Sequence, residues 1–327
     1  MMILTANDVC KALPMKETIE AMKHAYAALT GGKAEVPLRT RLPVPPQEGV
    51  SLIMPAFIQA DEEALAIKVV SVFPKNLEQG LPIINAVVLV LDAQTGVPRA
   101  ILEGGALTAI RTGAASGAAT ELLSRPDSKT AAIFGAGVQG RTQLEAVCTV
   151  RSIETAWVYD LDTEQVSTFI EEIAGRGPIP DDLRAGRTPE EAIAEADIIC
   201  TATTSSTPVF PDEAIKAGAH INGVGSYTLE MIEIPPETVG RAIVYVDSRQ
   251  AVLAEAGEVV AAITARLISA GELIELGSLV NGDVSGRTDD EQITFFKSVG
   301  VAVQDAMAAR LAMHNASEMG LGQRVEW

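Results

Sequence analysis

The alternation of apolar and polar positions divides the chain into stretches with different rhythms. Between Met15 and Leu29, the residues Ile19, Met22, Tyr26 and Leu29 recur at helical spacing, and Gly31-Gly32 offers a left-handed stop. An amphipathic opening helix is predicted there. Three β-rich runs follow, "SLIMPAF", "ALAIKVVSVF" and "INAVVLVLDAQTGVPRAIL", the last broken at Asp92 to Gly96 by a turn that reads as a hairpin. No helical run separates them, so an antiparallel or mixed sheet is expected, with "LPVPPQEG" as a loop leading into it. The stretch "ALTAIRTGAASGAATELL", Ala106 to Leu123, is small-residue helix material ending before Arg125-Pro126, where proline marks a boundary.

Beyond that boundary strands and helices alternate. Strands are predicted at Thr130–Phe134, Thr155–Tyr159, Asp197–Thr201, His220–Val224 and Ala242–Val246, and helices at Val138–Thr149, Thr163–Ala174 and Pro189–Ala196. This is the βαβ rhythm of a parallel sheet with helices on both faces. The final stretch, "FFKSVGVAVQDAMAARLAMHNASEMG", carries Val299, Val303, Met307 and Leu311 at near-helical spacing and reads as one long helix returning to the first domain. The expected organisation is an α/β fold: residues 1–122, completed by a helix over 303–327, form a substrate and dimerisation domain, and 123–302 a dinucleotide-binding domain.

Composition and charge narrow the partners. The 327 residues suit about two domains, and 47% hydrophobic with only 4% aromatic content suits α/β layers. With 25 basic against 43 acidic residues the net charge is −18, which argues against nucleic acid or an anionic membrane as partner. Neither a signal-peptide pattern nor an apolar run of spanning length is found, so a cytoplasmic protein is expected. Cys10, Cys148 and Cys200 lie far apart without metal-ligand spacing, and His24, His220 and His314 are equally scattered, so no metal site is expected. Each histidine reads as a surface or packing residue.

The segment "AIFGAGVQGRTQ" carries the first chemistry. Gly135, Gly137 and Gly140 directly follow an apolar strand and open a helix, the arrangement that aims helix amides at a pyrophosphate. Twenty residues after Gly140, Asp160 ends the next strand, where an acid meets the adenosine ribose hydroxyls. Asp162 follows and no arginine stands ready for a 2′-phosphate, so NAD is expected ahead of NADP. A small carboxylate substrate needs fixed cations close to the nicotinamide. Lys68 inside an apolar strand and Arg111 inside a small-residue helix are costly unless paired or lining a cleft. Arg39 and Arg41 alternate along one extended segment, so that one of the two is expected to face the cleft.

The chain resembles the ornithine cyclodeaminase and mu-crystallin family, which also holds an archaeal type of alanine dehydrogenase and several ketimine reductases. The likeness runs essentially end to end and is carried by "VPLR", "MPAF", "IKVVSVFPKN", "LDAQTGVPRAILEGGALTAIRTGAAS", "IFGAGVQGRTQ", "INGVGSYTLEMIEI" and "FKSVGVAVQD". It implies a Rossmann domain inserted into a mixed-sheet domain that makes a homodimer. It implies that Arg39, Lys68 and Arg111 meet the substrate carboxylate, and that Arg111, Thr112, Val138, Gln139, Asp160, Thr203, Val224, Gly225 and Ser298 contact the cofactor. Cyclodeaminase members carry an aspartate where this chain has Tyr227, and a glutamate where it has Leu52. An ornithine ammonium buried without those carboxylates would cost several kcal/mol, although Glu230 or Glu233 could compensate through a shifted loop. The expectation is NAD(P)H-dependent reduction of a small cyclic imino acid such as 1-pyrroline-2-carboxylate, with Lys68 and Arg111 catalytic and Tyr227 lining the substrate. Ornithine cyclodeamination, alanine dehydrogenation and turnover-free binding of a small molecule are the alternatives.

Overall fold

A computed structural model describes residues 1–59 and 63–326. The chain separates into two compact units, Met1–Arg111 with Val301–Trp327, and Thr112–Gly300. The division falls inside a helix, between Arg111 and Thr112, upstream of the Leu123 boundary at which the sequence rhythm changes.

The first unit is built on an eight-stranded mixed sheet. Its strands are β1 (Met2–Leu4), β2 (Ala34–Glu35), β3 (Thr40–Val44), β4 (Gly49–Ile58), β5 (Ala64–Val72), β6 (Ile84–Leu91), β7 (Pro98–Glu103) and a closing strand, Gln323–Arg324. They run closing strand, β1, β7, β6, β5, β4, β2, with β3 also on β4. Among the described residues of this sheet, only β1 and β7 pair in parallel. The three β-rich runs of the sequence are β4, β5 and the β6–β7 hairpin. At that turn the Asp92 carboxylate accepts the amides of Gln94 and Thr95, and Gly96 takes a φ of 72°. The loop expected over "LPVPPQEG" is corrected: Leu42 to Val44 belong to β3 and Gly49 to β4, and only residues 45–48 leave the sheet, as a short helical turn over Pro45–Gln47 closed by Glu48. An edge strand tolerates Pro43 because its missing N–H deprives no second neighbour.

Alternation sorts this sheet into two faces. Leu52, Met54, Ala56 and Ile58 of β4, Ala64, Ala66 and Lys68 of β5, and Val88 and Val90 of β6 are buried. Helices α1 (Ala6–Ala12) and α2 (Met15–Thr30) and the C-terminal helix, Ala302–Met319, complete the unit; the C-terminal helix packs on α1, α2, β4, β5 and β6. The cross-strand row Met54, Lys68, Val88, Leu102 contains a single charge, Lys68. The long C-terminal helix starts later than the apolar spacing suggests. Thr294–Lys297 is a strand, Val299 lies outside the helix, and Gly300 at φ 80° separates the two. Aromatic Phe295 and Phe296, buried to 0% exposure, favour the sheet over a helix.

In the second unit every strand pairing is parallel. Its strands are β8 (Thr130–Phe134), β9 (Thr155–Tyr159), β10 (Leu183–Ala185), β11 (Ile198–Thr201), β12 (His220–Gly223), β13 (Ile243–Val246), β14 (Ile274–Glu275) and β15 (Thr294–Lys297). They lie in the order β10, β9, β8, β11, β12, β15, β13, β14. Helix α3 (Gly104–Leu123) enters from the first unit along the chain, and α4 (Val138–Val150), α5 (Thr163–Ile173) and α6 (Pro189–Ile193) connect the early strands. All of β11 and β12 is buried, as a sheet covered on both faces requires. The chain winds outward from β8 to β10, then returns to the other side of β8 as β11. That reversal is the switch point at which open parallel sheets bind ligands. This is the doubly wound Rossmann arrangement, accompanied by a mixed-sheet unit. Among the described residues, no helix is long and apolar enough to cross a membrane.

Candidate active site

The buried face of the first unit gathers its cations around one acid. Lys68 Nζ lies 2.7 Å from Asp305 Oδ2, and Arg111 Nε donates to Asp305 Oδ1 at 2.9 Å. The second guanidinium arm of Arg111 donates to Gln304 Oε1 at 2.8 Å, and Gln304 in turn donates to the Tyr26 hydroxyl on α2. Lys68, Arg111 and Asp305 are all at most 5% exposed. Burial pushes the Lys68 ammonium down to about 8, against the pull of Asp305; Arg111 and Arg39 push in the same direction as burial. The two cations hold the Asp305 carboxyl below its ordinary range despite its burial. Two cations on one carboxylate leave a positive excess in an apolar layer, which suits an anionic guest.

Arg39 and Arg41 are distinguished by burial, not by face. Residues two apart in an extended strand share a face, so the alternation argument is corrected. Arg39 is half-buried and its charge reaches Lys68, whereas Arg41 is exposed opposite Leu52. Leu52 is buried on the Lys68 face of the sheet.

The second unit supplies a cradle at the switch point, with a different role for each glycine. Gly135 takes a φ of 102°, and a Cβ there would lie 2.6 Å from the Ala202 carbonyl. Gly140 permits close packing of helix on strand: its Cβ would sit 2.0 Å from the Gly135 oxygen. A Cβ added at Gly137 would meet no protein atom within 4 Å, and this glycine is the N-cap of α4 without a side-chain cap. Its open side and the uncapped amides behind it fit a pyrophosphate. Val138 beside it is exposed, and Gln139 is half-buried.

Asp160 ends β9. Its Oδ2 accepts the Ala136 amide at 2.8 Å and its Oδ1 the Asp162 amide at 3.0 Å, so the acid also braces the glycine loop. Asp162 caps α5. Arg141 donates to the Ala136 carbonyl and Glu172 and lies over the Phe169 ring, which commits its guanidinium to the protein. A recess of about 330 Å³ beside the loop is lined by Ala136, Arg141, Asp162, Glu164, Gln165 and Thr168.

On the other side of the switch point, Thr203 follows β11, and Val224 and Gly225 follow β12. Ser298 donates to Asp247 Oδ2 at 2.8 Å, an oxygen that also accepts the amides of Val299 and Gly300. Thr112 is buried on α3, and Tyr227 is half-buried. The suggestion that Glu230 or Glu233 replaces the missing aspartate is corrected for Glu233. That residue is buried, and its carboxylate is consumed by amides of its own unit. Glu230 is exposed, and hydrogen bonds from its own amide and from Thr228 hold its carboxyl below the ordinary range. His220 is a packing residue, buried and bonded to Thr294 and Asn222; His24 and His314 are exposed. Asp305, Gln304 and Asp247 escaped the sequence reading, and Glu233 was given a different role there. The signal that picks out Lys68 and Arg111, a charge within an apolar run, applies equally to Asp305 in "VAVQDAMAA".

Comparison with known proteins places this geometry. The model of the ornithine cyclodeaminase/mu-crystallin family matches residues 1–320. A Delta(1)-pyrroline-2-carboxylate reductase of Bacillus cereus is 40% identical over 329 residues, covering 100% of both chains. The structure of the Thermococcus litoralis Delta(1)-pyrroline-2-carboxylate reductase in complex with NADH and L-proline is 44% identical, covers 99% of this chain and 100% of that one, and superposes with a TM-score of 0.94. An archaeal alanine dehydrogenase dimer with bound NAD is 30% identical over 100% of this chain and 99% of that one, with a TM-score of 0.91.

Proposed function

The chain belongs to the ornithine cyclodeaminase/mu-crystallin family, and from that premise we propose that it reduces 1-pyrroline-2-carboxylate to L-proline with NADH. The observation that carries the reading is the end-to-end likeness, at 44% identity, to a reductase whose structure holds NADH and L-proline. Overall, the imine, NADH and one proton give L-proline and NAD⁺. NADH supplies the hydride that reduces the C=N bond.

The chain's own residues do the rest. Gly137, Val138 and Gln139 receive the pyrophosphate on a loop that Gly135 and Gly140 shape, Asp160 the adenosine ribose, and Thr112, Thr203, Val224, Gly225 and Ser298 the nicotinamide half. Asp160 and Asp162 repel a 2′-phosphate, and Arg141 is committed elsewhere, so NADH is preferred to NADPH. Arg39, Lys68 and Arg111 clamp the substrate carboxylate, and Tyr227 lines the ring. Fixed cations in an apolar layer are preorganised and need no rearrangement when the anion arrives. Lys68 Nζ, paired with Asp305, holds a proton close to the reacting nitrogen. A preformed imine needs no base to deprotonate an amine, which agrees with Tyr227 and Leu52 in place of two acids.

A single panel tests the assignment: NADH oxidation with pyrroline-2-carboxylate, and with pyruvate plus ammonium, beside proline formation from ornithine. Imine reduction should exceed ornithine conversion at least about a hundredfold in efficiency, the usual cost of a lost catalytic base. Ornithine conversion that equals or exceeds imine reduction would overturn the reading. The protein acts as a homodimer through its mixed sheet, in keeping with the dimeric alanine dehydrogenase.

A further inference from the structure

We propose that Glu233 is a positioning residue for the nicotinamide half of the cofactor site, joining two strand-end loops through one carboxylate. This rests on the proposed dinucleotide site. Glu233 Oε1 accepts the Thr203 amide at 2.6 Å and the Thr203 hydroxyl at 2.9 Å. Its Oε2 accepts the amides of Gly225 and Ser226 at 2.7 and 3.0 Å. Thr203 follows β11 and Gly225 follows β12, so each oxygen serves one loop. The loops are pressed together at that point: a Cβ on Gly225 would lie 2.1 Å from the Thr203 oxygen and 2.5 Å from Glu233 Oε1.

A buried ion pair backs the Ser226 loop. Lys297 Nζ donates to the Ser226 carbonyl at 2.7 Å and pairs with Glu258 Oε1 at 2.8 Å. Glu233, Glu258 and Lys297 are all at 0% exposure. Placing two carboxylates and one ammonium in a core is costly, and this cluster spends that cost on two loops instead of on regular structure. In a doubly wound sheet the strands beyond the switch point border the nicotinamide, whereas the glycine loop and the acid ending the second strand border the adenosine. Glu233 therefore shapes one half of the site and leaves the other untouched.

The test is a pair of titrations on the Glu233→Gln variant, with NADH and with ADP-ribose, which lacks the nicotinamide. The amide keeps one accepting oxygen but turns an NH₂ group toward the other loop, so one loop is released. The NADH dissociation constant should rise roughly ten- to a hundredfold, the range for hydrogen bonds to a charged group. ADP-ribose should bind as before, within about twofold. Equal weakening of both ligands, or no weakening of either, would overturn the assignment. If Glu233→Gln does not fold, Thr203→Val removes the hydroxyl donated to the same carboxylate and should give the same split in direction. Failure of the unsubstituted protein to bind NADH would instead overturn the cofactor site itself.

Discussion

Asp305 takes an ammonium on one carboxylate oxygen and a guanidinium on the other, so a substrate carboxylate entering the cluster competes for cations already held in place. Lys68 is the member that titrates in an accessible range. Burial lowers it to about 8; below that pH it is an ammonium, and above it the charge is lost. The kcat/KM for imine reduction should therefore fall as pH rises through about 8, and Lys68→Arg should carry that limb beyond pH 10 because guanidinium stays protonated. A limb that remains near 8 in the arginine variant would belong to another group. Lys68→Met should cost roughly 2–5 kcal/mol of transition-state stabilisation, as for truncating one partner of a buried charge pair; near-normal efficiency in the folded variant would move the substrate site elsewhere. Asp160→Ala removes both the ribose acceptor and the partner of the Ala136 amide. Calorimetry should show NADH affinity falling about tenfold or more and the preference over NADPH narrowing. Tighter binding of NADPH than NADH by the unsubstituted protein would contradict the ribose role. These charges were legible only in part. A lysine or arginine in an apolar run stands out against a chain with 25 basic residues, whereas Asp305, although it too lies in an apolar run, is one of 43 acids and draws less notice until its partners are seen.

The glycine loop shows what one element can and cannot disclose by pattern. Strand, glycines and helix are visible in the sequence because a fully buried strand must be apolar and a helix opening on a ligand must be free of side chains. The spacing alone does not separate a glycine that serves the fold from one that serves a ligand. The structure does. Gly140→Ala drives a methyl into the Gly135 carbonyl and should cost about 1–3 kcal/mol of stability, the range for overpacking. Gly137→Ala meets no protein atom and its φ of −79° suits any residue, so stability should stay within about 0.5 kcal/mol. NADH affinity should nevertheless fall at least about tenfold, because the added methyl occupies the face left for the pyrophosphate. Denaturation midpoints and NADH titrations on the two variants check this; a Gly137→Ala variant that binds NADH normally would remove the pyrophosphate from that face. The element that periodicity misread, Thr294–Lys297, failed for a related reason. Apolar positions three and four apart across Val299 and Val303 imitate a helix, and the turn at Gly300 that interrupts them leaves no mark on hydrophobicity.

At the scale of the whole molecule the proposed homodimer has to bring together two chains of charge −18. The outer face of the mixed sheet provides an apolar row: Ile53, Val69 and Val87 stand directly opposite one another on β4, β5 and β6 and are 36%, 37% and 39% exposed. Leu42 on β3 and Ile84 on β6 add exposed apolar surface to the same sheet. Single exposed apolar residues carry no message in a sequence, and these three become a surface only through strand register, which explains why no dimer face could be drawn from the apolar pattern. An interface of this kind sets apolar burial, which salt leaves intact, against repulsion between two acidic copies, which salt screens over about 10 Å at 0.1 M. Dimerisation should therefore strengthen as ionic strength rises from low to physiological, the reverse of an interface held by opposite charges. Val69→Asp places a charge in the centre of the row at an already solvated position, so the monomer should keep its fold while the dimer is lost. Sedimentation velocity across a salt series, on both proteins, measures the two effects together. A Val69→Asp protein that remains dimeric, or a dimer that dissociates as salt is added, would move the interface off this sheet and onto a polar surface.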